Sequence, residues 1–154
     1  MSRHHHALSK RAGLPPGTLQ VMGEPADLSV LITVIDYDET HFQEKTVDKI
    51  SECFPFRDTE TVTRINVDGL GNPRLIEDLG KSFVIHPLIL EDIFNTGQRP
   101  KMEDLDNYIY LTLKMLTYLD TEKEIKIEHI SILIGNNFLN LVLGGHRGYL
   151  RSRA

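Results

Sequence analysis

The chain has 154 residues, of which 40% are hydrophobic and 25% are charged, and this composition is typical of one soluble globular domain. Its longest uninterrupted apolar run, Tyr108 to Leu111, has four residues, whereas a membrane-spanning helix needs about 20. The chain is therefore not predicted to cross a bilayer by itself. The net charge of −5 argues against a nucleic-acid-binding surface, which needs basic residues to neutralise phosphates, and it is compatible with binding of divalent cations. Cys53 is the only cysteine, which excludes an intrachain disulfide and indicates a reducing, cytosolic setting.

The N-terminal part of the chain predicts a tail and two strands. Residues 1–27 are repeatedly interrupted by proline and glycine and predict an irregular tail or arm, so the domain is expected to span residues 28–154. Residues 28–37 are apolar and β-branched, and they predict a buried strand. The alternating residues 61–67 predict a second strand, closed by a turn at Asp68-Gly69.

Between these two strands the sequence predicts a surface helix. Asp38 or Thr40 is a suitable N-cap, and the helix is expected to run to about Cys53, with Pro55 ending it. The apolar residues of this segment are sparse, which is typical of a helix that buries little surface.

Two further helices are each predicted to begin at a proline. Asn72-Pro73 and His86-Pro87 both place a capping residue directly before a proline at the first helical position. Asn95 and Gly97 are expected to end the second of these helices. Each helix has one apolar face that is expected to be buried: Leu75, Ile76, Leu79 and Phe83 in the first, and Leu90, Ile93 and Phe94 in the second.

The last part of the chain predicts a three-stranded antiparallel meander. Residues 108–118, 125–134 and 138–143 are strand-like and are separated by short polar turns. Together with the earlier elements this order predicts an α/β fold, an α/β/α layered domain in which a mixed parallel and antiparallel sheet is flanked by helices.

The sequence lacks the motifs that usually carry enzyme chemistry. His4-His5-His6 is interpreted as an expression remnant or part of a tail, and Gly69-Leu70-Gly71 as a plain turn, because the third glycine of a dinucleotide loop is missing. His86, His129 and His146 are too scattered to form a visible ligand set, and no chemistry is assigned to them. The protein is not predicted to be an enzyme.

Acidic residues are the informative polar group. Glu91 and Asp92 are consecutive on a short helix and diverge by about 100° around its axis, so they are a poor cage for one ion but can present two carboxylates to a partner surface. A solvated acidic face is the alternative interpretation. A second acidic group, formed by Glu103, Asp104 and Asp106, precedes a predicted strand and is interpreted as a solvated loop.

Several segments resemble the CorA family of magnesium and cobalt transporters. The most specific is the block from His86-Pro87 through Glu91-Asp92-Ile93 to the segment Gln98-Arg99-Pro100-Lys101. Arg64 and Leu105 depart from the family, in which an aromatic residue is common at both positions. The remaining matching segments lie in residues 13–19, 55–58, 108–115 and 129–134, so the resemblance covers most of residues 13–143.

This resemblance implies the N-terminal cytoplasmic, metal-sensing domain of a homopentameric channel in the inner or cell membrane. The family's stalk helix, membrane helices and Gly-Met-Asn signature are not in this sequence, so contact with the membrane is expected only through a missing C-terminal part. In such proteins carboxylates between neighbouring subunits bind regulatory magnesium, with cobalt as a second cation. The family's interfacial aspartate falls on Asp92, with Glu91 beside it, and the carbonyl of Leu14 is a weaker candidate ligand.

Two alternatives remain open from the sequence. A zinc-transporting relative would share this domain, because the pore segment that distinguishes the ion is not in the sequence. A free-standing soluble protein, either a metal-regulated binding module or an enzyme of another type, is the competing class.

Overall fold

In the computed structural model the described residues are 30–144, and their strands form one mixed sheet of seven strands. The predicted tail, the His4–His6 run, Leu14 and His146 lie outside these residues. In chain order the elements are β1 (Leu31–Tyr37), β2 (Phe42–Val47), a 3₁₀ helix (Ile50–Asp58), β3 (Val62–Asp68), α1 (Pro73–Ser82), α2 (Pro87–Phe94), β4 (Lys101–Leu105), β5 (Tyr108–Leu119), β6 (Glu124–Ile134) and β7 (Phe138–Gly144).

The sheet has the strand order β2-β1-β3-β7-β6-β5-β4. The pairing of β3 with β7 is parallel, and every other pairing is antiparallel. The predicted mixed sheet is therefore confirmed, and so is the meander, since β5, β6 and β7 pair in sequence order.

The helices of the described region pack against one face of this sheet. Alternating side chains of the central strands, such as Ile65 and Val67 on β3, meet the apolar faces of α1 and α2 in one buried cluster. On the opposite face a smaller group, consisting of Ile130, Leu141 and Leu143, is buried against partly buried neighbours. The large cluster carries most of the hydrophobic stabilisation, because stabilisation scales with the apolar area removed from water.

Both predicted proline-initiated helices are confirmed, together with their caps. The Asn72 side-chain oxygen accepts a hydrogen bond from the Leu75 amide, and His86 Nδ1 accepts one from the Leu88 amide at 3.2 Å. These bonds satisfy amides that have no partner inside the helix. All the apolar residues expected on the buried faces of the two helices are buried in the core.

The helix predicted from Asp38 or Thr40 to Cys53 is wrong. The Asp38 carboxylate accepts hydrogen bonds at 2.7 Å from the amides of both Thr40 and His41, and these bonds close a turn between β1 and β2. The same two bonds, that from Thr40 first, lower the pKa of Asp38. The 3₁₀ helix follows β2, and Pro55 lies inside that helix instead of ending one.

The acidic segment interpreted as a solvated loop is also different in the structure. Glu103 and Asp104 lie on β4, which pairs with β5 at the edge of the sheet, and Asp106 lies in the turn between these strands. A polar, charged edge strand discourages pairing with other chains and has no apolar alternation to reveal it in the sequence.

The β5–β6 hairpin extends beyond its neighbours. Both strands continue past the ends of β4 and β7, and this two-stranded extension exposes apolar side chains on the face that elsewhere carries the helices. The exposed residues are Leu116, Tyr118, Ile125 and Ile127.

Two substitutions on β6 test this division between core and exposed extension. Leu133 is fully buried and Ile127 is 62% exposed on the same face of the same strand. We expect Leu133→Ala to lower the free energy of unfolding by about 2–5 kcal/mol and Ile127→Ala to lower it by less than about 1 kcal/mol. Guanidinium denaturation measures both values, and equal losses would contradict the described packing.

Candidate cation site

The predicted site residue Asp92 lies in the last turn of α2 and forms an ion pair with β4. Lys101 Nζ is 2.6 Å from Asp92 Oδ2, and the same ammonium also contacts the Glu103 carboxylate. Lys101 and Glu103 reach the same side because alternate residues of a strand share one face. The Asp92 side chain is 27% exposed, so water and ions have access to this cluster.

Lys101 is the cation of this cluster. Partial burial lowers the pKa of its ammonium, but the hydrogen bonds to Asp92 and Glu103 outweigh that cost and hold the pKa above its usual value. The ammonium also lies over the Tyr110 ring, 5.8 Å from the ring centroid, in a position that favours a cation. One positive charge thus stands between two carboxylates.

Gln98 fixes the end of α2 relative to the sheet. Its amide nitrogen donates to the backbone carbonyl of Asp92 at 2.7 Å and to the Tyr110 hydroxyl at 3.3 Å. The Tyr110 hydroxyl also contacts Ser131 Oγ on β6. The backbone that carries Asp92 is therefore tied to two strands.

The other predicted site residue, Glu91, is partly buried and directly precedes Asp92 on α2. The Lys101 ammonium donates its hydrogen bonds to the carboxylates of Asp92 and Glu103. Sequence reasoning missed Lys101, Glu103 and Gln98 as members of this site. The period-2 spacing of Lys101 and Glu103 was a usable signal, but their proximity to Asp92 depends on the tertiary structure.

The donor atoms fit part of a magnesium site. Asp92 and Glu103 offer carboxylate oxygens, which are the ligands that magnesium prefers, and magnesium commonly uses one or two carboxylates and keeps several waters. Within residues 30–144, however, no group of three or more acidic, histidine or cysteine side chains is placed to hold a metal ion. Lys101 moreover already contacts Asp92 Oδ2. Among the described residues, Asp92 and Glu103 are therefore two candidate oxygen ligands, and Lys101 already contacts both of them.

A buried polar cluster lies in the sheet near this site. His129 is 2% exposed, and its Nε2 lies 3.2 Å from Ser131 Oγ and 3.3 Å from Thr112 Oγ1. Burial lowers the pKa of His129 to about 4, the charge of Lys114 adds to this effect, and the charge of Asp92 opposes it. The ring is therefore neutral at physiological pH and acts as a hydrogen-bonding core residue.

Comparisons with known proteins concern the same part of the chain. Residues 70–142 match the family model described as CorA-like Mg²⁺ transporter protein. The cobalt/magnesium transport protein CorA of Thermotoga maritima is 39% identical over 130 residues, which cover 84% of this chain and 37% of that protein. The chain carries a domain of the CorA family. It spans little more than a third of the length of this curated relative.

Solved structures support the CorA fold. The soluble domain of CorA from Methanocaldococcus jannaschii matches with a TM-score of 0.50 and 16% identity, over 75% of this chain and 40% of that one. The complete CorA magnesium transporter of the same organism matches with 0.54 and 18%, over 77% and 33%. The full-length CmaX protein matches with 0.58 and 12%, over 80% and 37%. In the described part of this chain, no helix has the length and apolar character needed to span a membrane.

The buried histidine of this CorA domain predicts a pH dependence of its stability. The pKa of His129 is about 4 in the folded state and about 6.5 when unfolded, so only the unfolded state binds a proton between these values. Stability is therefore lost as the pH falls from about 6.5 to 4, by about 2–3 kcal/mol, and above pH 7 the group contributes no pH dependence.

The matched control is His129→Gln, which retains hydrogen-bonding groups but does not titrate. Urea denaturation across pH 4 to 8 should show a smaller loss for this variant, with the carboxylate contribution common to both proteins. Parallel pH profiles would contradict the assignment of His129 as buried and neutral.

Proposed function

We propose that this chain is the cation-sensing regulatory domain of a CorA-type transporter for magnesium and cobalt. The observation that carries the proposal is the 39% identity to the cobalt/magnesium transport protein of Thermotoga maritima. The partly exposed Asp92 lies inside the segment that matches the family model. On this proposal the chain is the cytoplasmic domain of a protein that lies in the inner or cell membrane.

In the proposed assembly, Asp92, assisted by Glu91, forms half of a site that a neighbouring subunit of a homopentamer completes. Carboxylates from two subunits repel one another, and a bound divalent cation would supply the positive charge that joins them. Asp92 is suited to this role because it is on a short helix, held by Gln98, and partly open to solvent. The chain would interact with divalent cations and copies of itself, and not with nucleic acid.

The proposed regulatory effect depends on the difference between two states of the transporter. A ligand shifts a conformational equilibrium only by its differential affinity for the two states. If the carboxylates come together only in the closed arrangement, the cation favours that arrangement, and a fall in cytosolic magnesium releases it. Conduction and ion selection would belong to segments outside this chain.

The alternatives drawn from the sequence receive less support. Two of the proteins named above, from Thermotoga maritima and Methanocaldococcus jannaschii, are described as a cobalt/magnesium and a magnesium transporter, and neither description refers to zinc. No comparison reported above favours a free-standing binding module or an enzyme. The magnesium and cobalt transporter is therefore the function proposed.

Substitution of Asp92 in a full-length transporter that contains this domain tests the proposal. Asp92→Asn removes one charge from the proposed intersubunit bridge. We therefore expect the internal magnesium concentration for half-maximal inhibition to rise about fivefold or more relative to the wild type. Current recordings from excised patches over a magnesium titration measure this shift.

The matched control is Asp104→Asn, which removes the same charge from an exposed residue on the other face of β4. It should leave the inhibition curve unchanged. An unchanged curve for both Asp92→Asn and Glu91→Gln would remove these two residues from the regulatory role.

A further inference from the structure

Lys101 holds the carboxylate oxygen that a divalent cation would need. Its ammonium is 2.6 Å from Asp92 Oδ2, which is a short, charge-assisted hydrogen bond. We propose that Lys101 is an internal counter-cation that competes with divalent cations for Asp92 and thereby sets the cation affinity of this site. The inference rests on the proposed function, because it concerns the regulation of the same residue.

Geometry makes the two cations mutually exclusive at this oxygen. Magnesium binds carboxylate oxygens at about 2.0–2.1 Å. An ammonium that kept its present position on Asp92 Oδ2 would then lie within a few ångströms of a doubly charged ion, where like charges repel strongly. Binding at this oxygen therefore requires Lys101 to withdraw.

The structure also provides a place for the displaced ammonium. Glu103 lies two residues along β4 on the same face and already contacts Lys101 Nζ. The lysine stem is flexible and the side chain is 36% exposed, so a small rotation keeps the Glu103 contact while it frees Asp92. The backbone of Lys101 stays in place during this rotation, because it is paired with Thr112 in the sheet.

The exchange has a consequence for the sensor. With the ammonium in place, the cluster of Asp92, Glu103 and Lys101 has one net negative charge, and Asp92 is already neutralised. A divalent cation gains only the difference between its own attraction to Asp92 and that of Lys101. The site then responds to high, and not to trace, concentrations of a hard cation.

Titration of a full-length transporter that contains this domain with MgCl2 and CoCl2, followed by isothermal calorimetry at constant ionic strength, tests the competition at the completed site. We expect Lys101→Met to lower the apparent Kd of both ions by about tenfold or more, since the competing charge is gone. Lys101→Arg keeps the charge and should behave as the wild type. The gain should disappear in the double variant Lys101→Met with Asp92→Asn.

Lys81→Met is the matched control for net charge, because it removes a lysine from the exposed ion pair with Asp78. It should leave the Kd unchanged. Glu103→Gln should raise the Kd, since the displaced ammonium loses its second acceptor, and it should do so more than Asp104→Asn does on the same strand. Lys101→Gln also removes the competing charge and should lower the Kd in the same way, so it tests the proposal if Lys101→Met does not fold.

The outcomes separate this inference from the proposed function. An equal Kd for the wild type and a folded Lys101→Met, or equal effects of Glu103→Gln and Asp104→Asn, would overturn the competition. A gain in affinity that persists with Asp92→Asn would also overturn it, because the competition would then concern another site. A magnesium inhibition curve that shifts with Asp92→Asn would still support the proposed function in each of these cases.

Discussion

The parallel pairing of β3 with β7 is the constraint on which the arrangement of this domain depends. Parallel neighbours cannot be joined by a tight turn, so a long segment must separate the end of β3 from the start of β7. The intervening segment contains α1, α2 and the strands β4 to β6. This path places α2 on one face of the sheet and carries the chain across to its far edge at β4, beside which Asp92 then lies.

The candidate site combines a hydrogen-bonded frame with a charge on a flexible side chain. Gln98 ties the carbonyl of Asp92 to Tyr110, and Tyr110 contacts Ser131 in the centre of the sheet. By contrast, the backbone of Lys101 is paired in the sheet, whereas its flexible side chain contacts Asp92 and Glu103 at a partly exposed position. A site of this kind can exchange its counter-ion without a change in the surrounding core.

The family match covers the part of the chain that carries this site. Residues 70–142 include both α-helices and nearly all of the four strands β4 to β7, whereas β1 and β2 lie outside the matched range. The match to the family model therefore includes the two helices and the strands that surround Asp92. The edge strand β2 belongs to the half of the sheet beyond the parallel pair.

Local chemistry made some of these elements predictable. Asn72-Pro73 and His86-Pro87 specify helix starts within a few residues, and the buried strands have the apolar alternation that their surroundings require. The edge strands β2 and β4 were not predicted, because an edge strand exposed to solvent does not need an apolar pattern. At the first of these, Asp38 is compatible with both a helix cap and a tight turn, and only pairing with β1 selects the turn.

For the candidate site, the sequence by itself determined that Asp92 lies on a short capped helix and, through the family resemblance, that it is a candidate cation ligand. The tertiary structure decided that the Lys101 ammonium forms ion pairs with both Asp92 and Glu103. Nine positions separate Asp92 from Lys101, and the distance between their side chains depends on how α2 packs against the sheet. That packing follows from burial of the apolar face of α2, which orients the helix but leaves no local signal of which charged residues will meet at its edge.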